Sequence, residues 1–232
     1  MKTDKLYFGA AYYSEYLPYD RVEKDMEMME KAGMNVIRIA ESTWSTLEPQ
    51  EGVYDFTHID RMLDAAARHH ISVIVGTPTY AVPTWLVKKY PDILAITQNG
   101  RERYGHRQNM DITNPDYLSH AERVIRVLME HVKDVPHVIG YQLDNETKSY
   151  GTAGPRVQAM FVDYLKENFP DINDFNHEFG LDYWSIKDSR ISSAIGMMMP
   201  KTKNRNSTAV ISSLCLPRRI GVERPPLPPM VA

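Results

Sequence analysis

The sequence predicts an α/β protein whose strands lie parallel in one sheet and whose strand ends gather at the mouth of a (β/α) barrel. Three observations carry this. Buried-type apolar runs alternate with amphipathic helices in the order β-α-β-α-β-α-β-α, the pattern of a parallel sheet with right-handed crossovers. No glycine-rich phosphate loop follows the first strand, which argues against a doubly wound nucleotide fold. Polar and aromatic residues gather after every strand: Tyr12 and Tyr13, Glu41 and Trp44, Thr77 and Tyr80, Asn145 and Glu146. A barrel collects all four of those strand ends around one opening.

Taken in order, residues 6–13 read as the first strand and Ser14 to Pro18 as a loop. From Asp20 to Ala32, Val22, Met26, Met29 and Ala32 recur at helical spacing, and Gly33 ends the helix as a C′ residue. Met34 to Ala40 is a second apolar strand, with Glu41 and Trp44 after it. Glu48 to Phe56 is turn-rich. Thr57, with Asp60 three residues on, is a candidate cap for a helix reaching about His70. Residues 71–78 form a third strand, and a short helix opened by Pro83 runs to Tyr90. Asp92 to Asn109 is an irregular loop holding Arg101, Arg103, His106 and Arg107. Asn114-Pro115 starts a long helix to about Lys133, with proline at the first helical position. Val138 to Glu146 is a strand whose end turns polar, Gly154-Pro155 opens a helix to about Asn168, and residues 171–179 suggest a helical turn.

Composition bounds what the chain does. Its 232 residues are enough for a real core and marginal for a whole (β/α)₈ barrel, which takes about 250. A net charge of −3 gives no reason to expect nucleic acid. The single cysteine, Cys215, excludes an intrachain disulfide framework and a four-cysteine zinc site. The N-terminus carries no long apolar region and no run approaches a membrane span, so a soluble, cytoplasmic protein is expected. Residues from Lys187 onward differ from the rest. They hold eight Lys/Arg, two Asp/Glu and six of the 15 prolines, and none of the 23 aromatics, whereas residues 1–186 carry a net charge of −9. Two regions are therefore expected: a folded domain over 1–186 and a disordered or frame-shifted tail over 187–232.

The chemistry concentrates at Asp144-Asn145-Glu146. These residues have two readings: a glutamate at the carboxyl end of a barrel strand placed to donate a proton, with the amide before it holding a sugar hydroxyl, or a polar turn capping the next helix. Glycoside hydrolysis uses two carboxylates, one as acid and one as nucleophile or base. Glu41 is a second carboxylate at the mouth, open to three roles: nucleophile, substrate hydrogen-bonder, or partner of Arg38 or Arg107. Trp44 is a sugar-stacking platform or a core residue. The eight histidines show no metal-ligand spacing.

Several longer stretches narrow this. Phe8-Gly-Ala-Ala-Tyr-Tyr-Ser-Glu15, the run from Asp25 through Pro49, Gly52-Val-Tyr-Asp-Phe56, residues 76–86, Gln142-Leu-Asp-Asn-Glu146 and residues 150–158 occur in one order. In them the chain resembles the N-terminal part of the catalytic domain of glycoside hydrolase family 42 β-galactosidases, over roughly residues 6–185. The resemblance implies the N-terminal half of a (β/α)₈ TIM barrel, about four β/α units, in an enzyme that releases terminal β-D-galactose with retention. It implies Glu146 as acid/base, Asn145 on the sugar 2-hydroxyl, Arg107 as a galactose contact, and Glu41 in a structural position. It implies no cofactor, and no metal, since the cysteines of the zinc-binding members are missing. It implies that full-length relatives are homotrimers. The family's nucleophilic glutamate and trimer-forming domains belong to parts of the family pattern that this chain does not show, so this chain is expected to be inactive alone. A sugar-binding or partner-complemented half barrel is the alternative.

Overall fold

The computed structural model describes residues 5–17, 20–105, 107–146 and 151–178. The predicted tail over 187–232 lies outside them. The chain divides into two compact units, one from residues 1–94 with 102–147 and one from 95–101 with 148 onward.

In the first unit, β1 (Gly9–Ala11), β2 (Val36–Ile39), β3 (Ser72–Gly76) and β6 (Val138–Gln142) form one sheet in the order β1-β2-β3-β6. All three pairings are parallel: Gly9 opposes Val36, Val36 opposes Ser72 and Val73 opposes Val138. The register slips by one residue between Val73 and Ile74, so Ile74 opposes Gly140. Between strands run α1 (Val22–Lys31), the short α2 (Trp44–Leu47), α3 (Thr57–Arg68), α4 (Thr84–Lys89) and α5 (Pro115–Val132).

The core explains the alternation. Ile37, Ile39, Val73 and Val75 point from β2 and β3 into a cluster closed by Met26 of α1, Met62, Leu63 and Ala66 of α3, and Leu128 and Val132 of α5. A second cluster packs Trp44, Leu86, Ile93, Met110, Tyr117 and Val124. Burying side chains of this size contributes roughly 1.5–3 kcal/mol each. The expected period of α1 holds at Val22 and Met26, which are buried, and Gly33 follows the helix with φ 78°. Ala32 lies outside the helix as its C-cap.

Three local expectations need correction, and one element carried no sequence signal. β1 is much shorter than the run 6–13, and its residues are exposed because it is the outer strand. The strand expected through Glu146 ends at Gln142, where the polar residues begin. Thr57 does not cap α3; it is the first helical residue, and the Asp55 side chain two positions upstream accepts its N–H at 2.9 Å. The Trp44–Leu47 turn was not legible, since four residues show no period. By contrast α5 starts as expected: Asn114 Oδ1 accepts from the N–H groups of Asp116 (2.8 Å) and Tyr117 (3.2 Å), with Pro115 at the first position.

The second unit contains a two-residue antiparallel ladder, β4 (Ile96–Thr97) with β5 (Gly100–Arg101), inside the stretch expected to be irregular. It also holds α6 (Pro155–Asn168), opened by Gly154 and Pro155 as predicted, and α7 (Ile172–Glu178). Leu165 and Phe175 are buried against Phe161, Phe169 and Ile172. No described helix is long and apolar enough to cross a membrane.

Candidate active site

The carboxyl ends of β3 and β6 are tied together, and that tie builds the site. Past Gly76 the chain is held by two bonds: Thr77 N–H donates to the Gln142 carbonyl at 2.9 Å, and Thr77 Oγ1 donates to the Leu143 carbonyl at 3.0 Å. Pro78 then opens a tight turn over Pro78–Tyr80. The segment after β6 reverses through Asp144, whose Oδ1 accepts the Asn145 N–H at 2.8 Å. Gln142 Nε2 donates to the Asp144 carbonyl (2.8 Å) and to Asn145 Oδ1 (3.0 Å). Gln108 Nε2 donates to the Asn145 carbonyl at 2.9 Å, and the Gln108 N–H donates to the Tyr80 carbonyl at 3.0 Å.

On this frame Glu146 has φ 49°, a left-handed conformation that costs a non-glycine residue about 1 kcal/mol. Such strain survives where the surroundings impose it, and it concentrates at functional sites. The Tyr80 hydroxyl donates to Glu146 Oε2 at 3.1 Å, and an Arg107 guanidinium nitrogen lies 3.7 Å from the same oxygen. The Arg107 guanidinium also sits 5.3 Å above the Tyr80 ring. Burial raises the Tyr80 phenol above its ordinary range; a bond with Asn145 opposes this and the bond to Glu146 adds to it. The structure thus brings together all three site residues that the sequence singled out, Arg107, Asn145 and Glu146. It adds Tyr80, Gln108 and Gln142, to which sequence reasoning gave no role.

Glu41 resolves differently. It is 3% exposed, and its Oε1 accepts from Arg38 at 2.8 Å and from the Tyr13 hydroxyl. Arg38 donates to Tyr13 at 2.8 Å, closing the triangle. Burial, then the bond to Glu41, raise the Tyr13 phenol. Gly76 makes room for this: a Cβ there would lie 2.7 Å from the Glu41 Cβ. Of the roles open to Glu41, the Arg38 partner is the one observed. Trp44 is fully buried, with its Nε1 donating to Glu48 Oε2 at 2.9 Å, so it is core and not a platform for sugar. Among the described residues no group of three or more His, Cys, Asp or Glu converges as a metal site would require.

The profile of the glycoside hydrolase family 42 β-galactosidases matches residues 11–194. The chain belongs to glycoside hydrolase family 42. A β-galactosidase of Thermus sp. is 34% identical over 181 residues, covering 76% of this chain and 28% of the relative. A β-galactosidase of Thermus thermophilus gives the same identity and coverage. Among solved structures, the cold-adapted β-galactosidase of Rahnella sp. R3 superposes with a TM-score of 0.75 at 30% identity, over 82% of this chain and 29% of that one. A catalytic glutamate-to-alanine mutant of a family 42 β-galactosidase from G. stearothermophilus superposes with a TM-score of 0.72 at 29% identity, over 79% of this chain and 28% of that one. The chain therefore spans a little over a quarter of the length of these family 42 relatives. Its four parallel strands are the N-terminal half of their (β/α)₈ barrel.

Proposed function

We propose that this family 42 chain carries the acid/base half of a retaining β-galactosidase site, with Glu146 as the proton donor. In the first step the Glu146 carboxyl gives its proton to the glycosidic oxygen as the C1–O bond breaks, and a second carboxylate attacks C1 from the opposite face. The aglycone leaves as an alcohol and the galactosyl group is held as an ester. In the second step the Glu146 carboxylate takes a proton from water, the water oxygen attacks C1, and β-galactose departs with both carboxyl groups restored. Asn145 holds the sugar 2-hydroxyl, and Arg107 contacts galactose from the loop after β3. The nucleophile comes from strands of the barrel beyond the four described here.

The observation that carries this reading is the placement of Glu146. It stands in a left-handed turn at a strand's carboxyl end, with Oε2 engaged by Tyr80 and Arg107 and with Oε1 making no hydrogen bond to a described residue. That leaves one oxygen for proton delivery. The test is a completed barrel, in which residues 11–194 of this chain replace the matched segment of the Thermus enzyme. Lactose turnover should fall about 10²–10⁴-fold on Glu146→Ala. Lactose turnover that survives the substitution sinks the assignment, as does a folded chimera inactive with Glu146 in place.

A second reading, a half barrel complemented by a separate polypeptide, is favoured by the sheet's outer strands. β1 and β6 have no further strand partner among the described residues, and Leu6 and Leu143 beside them are 86% and 81% exposed. Light scattering of this chain mixed with the remaining segment of the Thermus enzyme tests it. A stable 1:1 complex supports complementation, and two unassociated species reject it.

A further inference from the structure

Tyr80 is one side chain that touches both charged groups of the candidate site. It is 6% exposed. Its turn is clamped from several directions. Pro78 opens it, the Tyr117 hydroxyl of α5 donates to the Thr79 carbonyl at 3.3 Å, and Gln108 N–H donates to the Tyr80 carbonyl. From this fixed base the phenol oxygen reaches out to a side chain that is not fixed. The Glu146 side chain is 53% exposed and that of Arg107 is 60% exposed. A half-exposed glutamate has rotamer freedom to lose, up to about 2 kcal/mol for long polar side chains, and needs a rigid partner to hold one orientation. A buried tyrosine hydroxyl usually finds a hydrogen-bond partner. Here the hydroxyl points at the carboxylate, while the ring face carries the guanidinium.

We propose that Tyr80 is the positioning residue of Glu146: its hydroxyl fixes Oε2, and its ring seats Arg107 against the same oxygen, so that Oε1 faces the leaving group. This rests on the acid/base reading of Glu146. A hydrogen bond of this kind couples the two groups reciprocally, so the coupling is legible from the tyrosine side. Glu146 raises the Tyr80 phenol through their hydrogen bond and its charge, and Arg107 lowers it through its charge.

The test uses the 232-residue chain itself, labelled with 3-fluorotyrosine, whose phenol titrates at lower pH than tyrosine. The fluorine resonance of residue 80 is assigned by its loss in Tyr80→Phe, and its titration is followed by ¹⁹F NMR. In Glu146→Gln the titration midpoint should fall. In Arg107→Met it should rise. A ring with only a structural role responds to neither, so a midpoint unmoved by both substitutions overturns the proposal. The two readings separate cleanly. A missing coupling, with lactose turnover still dependent on Glu146, removes the positioning role and leaves the acid/base. A coupling that is present, with turnover independent of Glu146, removes the acid/base and with it the catalytic meaning of Tyr80. In the completed barrel, Tyr80→Phe should lower kcat about tenfold, the loss of one charge-assisted hydrogen bond, with KM within about twofold. An equal rise in KM with kcat intact contradicts it.

Discussion

Glu48 shows how much a single residue's environment changes its meaning. In the sequence it belongs to a turn-rich Glu-Pro-Gln-Glu-Gly run, with nothing local to mark it as buried. In the fold it is fully buried. Its Oε2 accepts from Trp44 Nε1, and its Oε1 from Gly52 N–H and from Arg123 of α5. The Trp85 indole donates to its carbonyl at 2.8 Å. Glu48→Ala should destabilise the protein by about 3 kcal/mol, the low end for breaking a buried pair, because Arg123 is 35% exposed and regains water. Urea unfolding measures this, and a loss under about 1 kcal/mol would show the pair to be weakly coupled. Glu48 could not be found from sequence because its donors come from residues 44, 52 and 123. Asn145 and Glu146 stand out in the sequence for the opposite reason. They end their own apolar run, so the change from strand to polar turn marks them locally. Tyr80 was visible as an aromatic after a strand, but its pairing with Glu146 spans 66 residues and depends on the left-handed turns at Gln108 and Glu146.

Among elements, the seam between α1 and α3 is electrostatic at its outer edge and sensitive to pH. His69, the C-cap of α3, bonds Glu30 at 2.8 Å and Glu23 at 3.0 Å, and Arg68 bonds Glu23 at 2.6 Å. Glu30 first, then Glu23, raise the His69 imidazole above its ordinary 6.5. Its contribution is therefore full below pH 6.5 and is lost as pH rises through the higher folded value. Arg68 first, then His69, lower Glu23 from 4.5 to about 2, so its contribution is full above pH 4.5 and is lost as pH falls toward 2. The seam is firmest between those limits. Urea midpoints should decline above pH 6.5, and His69→Gln should flatten that decline; an unchanged slope in the variant would place the titration elsewhere. Helices were legible where period and cap agree, as in α5 with Asn114-Pro115. At α3 the predicted cap fails: Phe56 stands at the N-cap position, and the Asp55 side chain before it accepts the Thr57 N–H. β1 was overextended because an apolar run reads the same at a sheet's edge as at its centre.

At the scale of the molecule, the four parallel strands among the described residues form a sheet with two outer strands, and the two most exposed large hydrophobics, Leu6 and Leu143, lie beside them. Leu6 (86%) and Phe8 (52%) flank β1, and Tyr141 (44%) and Leu143 (81%) lie at the end of β6. Exposed, apolar strand edges recruit other strands. This chain should therefore scatter light on warming, and Leu6→Lys with Phe8→Lys should suppress it. Scattering unaffected by the two lysines would place the sticky surface elsewhere. The parallel sheet was legible from alternation alone. A barrel was favoured by the polar and aromatic residues after every strand, whereas its being the N-terminal half of a larger barrel was legible only through family 42 motifs.

If Glu146 is the acid/base of a retaining galactosidase, azide should replace its second function. With Glu146→Ala in the completed barrel and an activated nitrophenyl β-galactoside, the first step needs no acid and the second lacks its base. Added azide needs no base either, so turnover should recover and the product should be β-galactosyl azide. If azide restores nothing, or the azide product has inverted configuration at C1, the account of Glu146 is wrong.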